Sequence, residues 1–119
     1  MQHTSQQMTS EMQRCVQDCL DCHSVCMNTA TYCLQMGGRH AEANHIRSLA
    51  DCAQMCITSA DLMLRMSPLH AQTCGVCAQA CEECARSCEQ FGDDAQMRKC
   101  AEACRRCAES CRQMASMRM

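Results

Sequence analysis

Cysteine recurs along most of this chain in alternating steps of three and four residues, and no other feature constrains its fold as tightly. Cys15, Cys19, Cys22, Cys26 and Cys33 form one run, with a single step of seven. Cys74, Cys77, Cys81, Cys84 and Cys88 form a second, and Cys100, Cys104, Cys107 and Cys111 a third. A helix returns to the same face about every 3.6 residues, so each run is one stripe, the seam that turns inward in a bundle. Cys52 and Cys56 lie in a fourth seam, His45, Leu49, Cys52, Cys56, Ser59, Met63. No stretch alternates with a period of two, so strands are not expected. The pattern predicts an all-α chain whose sixteen thiols point into one interior.

Stop signals divide the chain into four helices. Ser10 with Gln13 fits a capping box at the start of a helix over 10–36, which Gly37-Gly38 ends. A second helix is expected over 39–66. Ser67-Pro68 reads as an N-cap followed by proline at the first helical position, opening a third helix over 68–91 that stops at Gly92. Asp93 with Gln96 caps a fourth over 94–117. Short connections make this an antiparallel up-down-up-down four-helix bundle, and 119 residues suit one domain over 1–119.

Composition excludes several classes of function. A net charge of −2 leaves no basic patch for nucleic acid, and Tyr32 and Phe91 are the only rings available for base stacking. Charged or amide residues interrupt every apolar run, so no membrane-spanning segment is expected. The first ten residues carry neither the basic segment nor the apolar run of an export signal, which points to the cytoplasm and to reduced thiols. With Trp absent and large aliphatic residues few, a conventional core would be marginal at this size. Something else must fill the interior.

Cysteine can serve as a small hydrophobe, but Leu or Ile would bury more area without the risk of oxidation. Disulfides would have to run between helices, because neighbours four apart on one helix suit a bridge poorly. Cys19-x2-Cys22, Cys74-x2-Cys77, Cys81-x2-Cys84 and Cys104-x2-Cys107 each look like half of a zinc or iron–sulfur site. Such pairs normally sit on turns, whereas these overlap along straight helices. The ferredoxin run with its closing Cys-Pro is absent.

Pairs four apart offer two sulfurs on one face, which suits a soft ion of low coordination such as Cu(I). Seven exist: Cys15/Cys19, Cys22/Cys26, Cys52/Cys56, Cys77/Cys81, Cys84/Cys88, Cys100/Cys104 and Cys107/Cys111. One monovalent ion per bridging thiolate keeps a buried core near neutral, a capacity of roughly 16 Cu(I) by charge balance, against about half that for zinc. Spacing and charge favour copper; a zinc or iron–sulfur protein and a thiol redox sensor remain open. No enzyme is expected, since the thiols look equivalent and buried rather than activated.

On these residues the chain resembles the bacterial copper storage proteins, cysteine-rich four-helix bundles, and the likeness runs from about Cys15 to Cys111. It implies Cu(I) held by Cys-x3-Cys pairs and bridging thiolates, with assembly as a homotetramer. Lack of an export signal is similar to the cytosolic members of that family. The chain departs from an all-cysteine interior at one end of the bundle.

Antiparallel topology gathers Met8, Met12, Met63, Met66, His70, Met114 and Met117 at one end. Thioethers and imidazoles bind Cu(I) more weakly than thiolates, so this end reads as a mouth, with Met63 and His70 as candidate ligands. Plain gap-filling is the alternative for the methionines. The other end holds Tyr32, Met36, His40, His45, Phe91 and Met97. Tyr32 with Phe91 reads as an apolar plug, and His45, near Cys33, Cys88 and Met97, as a candidate ligand for the last copper. His3 and His40 are expected to face solvent, and His23 falls off the seam with no metal role.

Further apolar lines run along helix 1 (Val16, Leu20, Met27, Leu34) and helix 2 (Ile46, Ala50, Ala53, Ile57, Ala60, Leu64). Equivalent positions on helices 3 and 4 carry Glu82, Glu89, Arg105 and Arg112 and are expected to face water. The apolar lines either widen the core or form a homo-oligomer interface through helices 1 and 2. Protonated thiols bury acceptably, so the bundle is expected to fold before metal arrives.

Overall fold

A computed structural model describes residues 8–117. It contains α1 (Ser10–Met36), α2 (Ala43–Leu64), α3 (His70–Glu89) and α4 (Ala95–Ser116), and there is no strand among the described residues. Neighbours in sequence are neighbours in space: α1 and α3 each pack on both α2 and α4. The result is the expected antiparallel four-helix bundle.

Helix ends differ from expectation by a few residues, each for a local reason. Thr9, not Ser10, caps α1, its hydroxyl accepting the Met12 amide at 3.1 Å. Gly37 and Gly38 both take left-handed backbone (φ 72° and 57°), and the chain makes a 3-10 turn over Gly38–Ala41 before α2 begins. Ser67 accepts the Leu69 amide at 3.1 Å, so it and Pro68 shape the turn ahead of α3 rather than its first residues. Asp94, not Asp93, caps α4 by accepting the Met97 amide at 3.2 Å. Gln96 reaches across instead of back, donating to buried Thr29 at 2.9 Å.

α2 ends with paired bonds, Ser67 N–H to the Leu62 carbonyl at 2.9 Å and Met66 N–H to Met63 at 3.0 Å. Met66 therefore occupies the left-handed position (φ 56°) that glycine usually fills in this motif.

The interior is sulfur. All sixteen cysteines are at most 1% exposed, with Leu49, Met63 and Met97 the largest other fully buried side chains. Alanines at 53, 60, 78, 85, 101 and 108 flank the seams and let the helices approach closely. Buried thiols thus take the place of the missing aliphatic and aromatic volume. Outside, Arg105 forks onto Glu89 at 2.8 and 3.0 Å and Arg112 pairs with Glu82, tying α3 to α4 on the expected wet face.

The apolar lines of α1 and α2 divide. Val16, Ala53 and Ala60 are buried within the chain, and Leu20, Ile46 and Ile57 are half-buried. Met27, Leu34 and Leu64 stay open, at 53%, 60% and 54% exposure.

Candidate metal centre

The thiols form one network. Sulfurs from all four helices meet: Cys22 lies 3.7 Å from Cys52 and 3.8 Å from Cys104, Cys52 lies 3.5 Å from Cys81, and Cys107 lies 3.7 Å from both Cys19 and Cys56. Cys15 and Cys19 both reach Cys111, at 3.7 and 3.6 Å. All sixteen cysteines are free, with no disulfide between them. Several sets of four converge closely enough to share one ion, among them Cys22, Cys26, Cys52 and Cys104, and Cys56, Cys77, Cys81 and Cys107. Each of these sets therefore draws on more than one helix.

Three of the pairs four apart face each other directly: Cys22/Cys26 at 3.9 Å, Cys77/Cys81 at 4.0 Å and Cys107/Cys111 at 3.9 Å. Metal–thiolate bonds of about 2.3 Å separate two sulfurs by about 4.0 Å at 120° and about 4.6 Å in line. The network as it stands fits three-coordinate, bridged ions. A two-coordinate ion fits once a pair opens by roughly half an ångström, within the reach of small side-chain rotations. Cross-helix separations, 3.5–3.9 Å, are as short as or shorter than those within a helix, a feature that spacing along the sequence does not disclose.

Burial keeps the ends of the network protonated when no metal is present. Burial, with added repulsion from Cys100 and Asp94, pushes the Cys33 thiol up to about 11. Neighbouring Cys111 pulls Cys74 down, but Cys15 and burial outweigh it and raise the thiol to about 12. A soft cation must displace these protons to bind.

At the α2–α3 end, Met63 is fully buried with its thioether 3.9 Å from Cys74 Sγ. His70, the first residue of α3, has its Nδ1 buried without a hydrogen-bond partner, and so does the Ser59 hydroxyl. Met12 and Met114 are buried, Met8 and Met66 are half-buried against the core, and Met117 is 42% exposed. An unpartnered buried nitrogen is costly, which makes His70 Nδ1 a candidate donor to an ion. Ser59 stands one turn beyond Cys56 in the α2 seam. The set Cys19, Cys77, Cys107 and Cys111 accordingly takes no thiol from α2.

The α1–α2 end is closed by rings. His40 packs 4.3 Å from Phe91 and meets Tyr32 edge-on at 5.8 Å; Phe91 in turn lies 4.9 Å from His45. The Arg39 guanidinium stands 5.0 Å over Phe91. Asp94 accepts from Tyr32 at 2.7 Å and from His40 at 3.0 Å. Burial raises the Asp94 carboxyl, but the bonds from Tyr32, the Met97 amide and His40 prevail and hold it below its ordinary value. His40 therefore does not face solvent as expected, because the 3-10 turn folds it over Phe91. His3 lies outside the described residues. His23 is occupied as a structural tie, its Nδ1 bonded to the Ala53 carbonyl at 2.8 Å.

His45 is where its seam predicts, 5% exposed, with Nε2 at 3.3 Å from Cys33 Sγ. Burial, chiefly, lowers its basicity. Its Nδ1 meets Ser87 Oγ at 2.6 Å, and Cys33 Sγ lies 3.6 Å from Met97 Sδ. Sequence reading named His45 and Cys33 and placed Ser59 in the α2 seam, but missed Ser87 and Asp94. Of these two only Asp94 left a signal, an acidic residue beside the expected cap.

A family model described as copper storage protein matches residues 8–116. Comparison with curated proteins finds no match. Among solved structures, a protein from Nitrosospira multiformis is 42% identical, with a TM-score of 0.85 over 90% of this chain and 96% of that one. The Cu(I)-bound copper storage protein BsCsp3 is 34% identical, with a TM-score of 0.83 over 90% of this chain and all of that one (100%). A cytosolic copper storage protein from Streptomyces lividans holding five coppers is 29% identical, with a TM-score of 0.78 over 89% and 92% of the two chains. Four helices, a continuous thiol core and a family match across nearly all the described residues lead to one assignment: this chain belongs to the copper storage protein family.

Proposed function

We propose that this chain stores Cu(I) in the cytoplasm, as a reserve held by the thiols of its core. The observation that carries this reading is the buried sulfur core, sixteen free buried thiols, most of them with another sulfur at 3.5–4.0 Å. As ligands we assign Cys15, Cys19, Cys22, Cys26, Cys33, Cys52, Cys56, Cys74, Cys77, Cys81, Cys84, Cys88, Cys100, Cys104, Cys107 and Cys111, with Met63 and His70 at the mouth and His45 at the far end. Charge balance sets a capacity of roughly one Cu(I) per thiolate. Copper enters at the Met- and His-lined end, passing from weak thioether and imidazole donors to thiolates that hold it more tightly. The copper-bound relatives support the choice of ion, and the relative described as cytosolic supports the compartment.

The test is anaerobic titration of the reduced chain with Cu(I) in competition with a chromophoric chelator, with thiols counted in parallel. Uptake that continues to many equivalents, with no displacement by zinc, is the expected result. Saturation at one or two equivalents would sink the storage reading, and zinc outcompeting copper would replace it.

The exposed Met27, Leu34 and Leu64 on α1 and α2 support association of these helices with further copies, as a homotetramer. Sedimentation checks this: Leu34→Lys is expected to yield monomers from an assembled parent. A parent that sediments as a monomer removes the claim.

A further inference from the structure

α2 and α3 leave an open groove between them on the outside of the bundle, about 320 Å³ in volume and floored by Met55, Val76 and Ala80. Asp51 and Glu83 stand on its rim. Four of these residues, Asp51, Met55, Val76 and Ala80, immediately precede the core cysteines Cys52, Cys56, Cys77 and Cys81. Those thiols meet across the same seam: Cys81 lies 3.5 Å from Cys52 and 3.8 Å from Cys56, and Cys77 lies 3.8 Å from Cys56. A single layer of side chains therefore separates the groove from the sulfur core, although all four thiols are fully buried.

The seam under this groove is also the least tied. Arg105 with Glu89 and Arg112 with Glu82 join α3 to α4, and a Cβ on Gly75 would stand only 3.7 Å from that of Ala115. Ser110 with Asp18 and Gln96 with Thr29 join α1 to α4, and His23 joins α1 to α2. Among the described residues, the helical parts of α2 and α3 are bonded outside their sulfurs only by His45 and Ser87, at the ring-closed end. Met55 is the movable part of the wall. It is half-buried against the core, and its unbranched thioether chain adapts readily to its surroundings.

Association of copies through Leu34 and Leu64 leaves the groove open. Leu64 lies nine residues beyond Met55, about two and a half helical turns, so it points to the opposite side of α2. The rim says what fits. Asp51 has no ion-pair partner among the described residues, and Glu83 meets only Arg86, in an exposed bridge on its own helix at 2.9 Å. Arg47, at the far end of the groove, is bonded to Asn44 at 2.8 Å. Carboxylates on both walls favour a cation, and the apolar floor favours a short hydrocarbon. A molecule that takes copper from thiolates must itself carry a soft donor, and a thiol matches them.

We propose that the α2–α3 groove is a docking site for a small amine-bearing thiol, which withdraws Cu(I) sideways from the layer of Cys52, Cys56 and Cys81 when Met55 swings aside. The site rests on the storage reading above. The ammonium sits between Asp51 and Glu83, and the sulfur reaches past Met55. In the transfer, a copper ion's bonds to core sulfurs break as its bond to the incoming sulfur forms. The proton of the incoming thiol passes to the thiolate left behind, Cys81 beside Ala80. Copper stays Cu(I) throughout, and the net charge of the core does not change.

The experiment loads the full-length chain with Cu(I), exposes it anaerobically to one small thiol at a time, and counts the copper left on the protein after rapid desalting. The probes are cysteamine, β-mercaptoethanol and β-mercaptopropionate, which bear an amine, a hydroxyl and a carboxylate, compared at equal thiolate concentration. Cysteamine is expected to remove copper about 2- to 5-fold faster than β-mercaptopropionate, with β-mercaptoethanol between them. Asp51→Asn combined with Glu83→Gln, two exposed positions, is expected to abolish that order. Ala80→Phe, which fills the groove, and Met55→Ile, similar in volume but stiff at χ1, are each expected to slow removal by all three thiols several-fold and to keep the copper capacity. No order in the parent, or the same order once both carboxylates are gone, would overturn the docking of an amine. Parental rates in both Ala80→Phe and Met55→Ile would overturn the side path and leave the ends of the tube as the exits. If the parent itself saturates at one or two equivalents of Cu(I), the storage reading fails instead, so the two failures are distinguishable.

Discussion

At the α2–α3 end the sulfur tube is bounded by Met12, Met63 and Met114, with an imidazole nitrogen and a hydroxyl, His70 Nδ1 and Ser59 Oγ, that have no partners. At the α1–α2 end every polar group near the tube is engaged: Tyr32 and His40 on Asp94, His45 on Ser87 and Cys33. Unmet hydrogen-bonding capacity in a buried place is costly and stays available to a ligand, whereas a satisfied network stiffens what it closes. The first end is built for exchange and the second for closure. Backbone strain follows the same division, since the left-handed Met66 lies beside the mouth.

The largest expected effect tests what both ends share. Cys33 near the rings is raised to about 11 and Cys74 near the mouth to about 12, against an ordinary value near 9. A thiol raised on folding contributes stability that is fully present below its unfolded value and is lost as pH rises through its folded one. The metal-free bundle should therefore hold its melting temperature up to about pH 9 and lose it steeply toward pH 11–12. The copper-loaded bundle, whose thiols are already deprotonated, should not. Parallel melting curves that fall together would show that the core does not bury protonated thiols.

The bundle was legible because spacing carries it: steps of three and four can form a seam only on a helix, and glycines mark two of the turns. Ends were less legible. Thr9 competes with Ser10, and Asp94 with Asp93, for caps whose energies differ little between neighbouring residues. His40 was misjudged because a 3-10 turn, not a helix, determines where its ring lies. Ser87 left no trace at all, since its meaning depends on a bond to a residue forty-two positions away. Ladders are local and periodic; the groups that tune them are not.

Met63→Ala breaks the comparison from the mouth side. Emptying a fully buried methionine should lower stability by about 2–5 kcal/mol, read by chemical denaturation of the metal-free chain. Met63→Leu keeps the volume and should cost under about 1.5 kcal/mol, yet slow Cu(I) uptake in stopped-flow measurements. Uptake at the parental rate in Met63→Leu would reduce the mouth methionines to packing.

Asp94→Ala addresses the closed end. It removes the α4 cap and the acceptor for Tyr32 and His40, an expected loss of about 1–2 kcal/mol. Because the carboxyl is held below its ordinary value, its contribution is present above that value and lost as pH falls through the lowered one. The variant should therefore lose less stability on acidification below about pH 4 than the parent does. It should also yield copper faster to a chelator, because the rings are no longer latched. An unchanged release rate would mean that the ring cluster is not a barrier to copper.

Met66→Gly should be the smallest effect and the one of opposite sign. The paired bonds that end α2 require left-handed backbone at this residue, where a side chain costs about 1 kcal/mol and glycine costs almost nothing. Substitution should therefore stabilise the metal-free chain by up to about 1 kcal/mol. It also deletes a thioether that packs half-buried against the mouth. If that sulfur guides copper, the more stable protein will load more slowly. If loading is unchanged, the methionine is there for packing, and the strain at the mouth has no part in exchange.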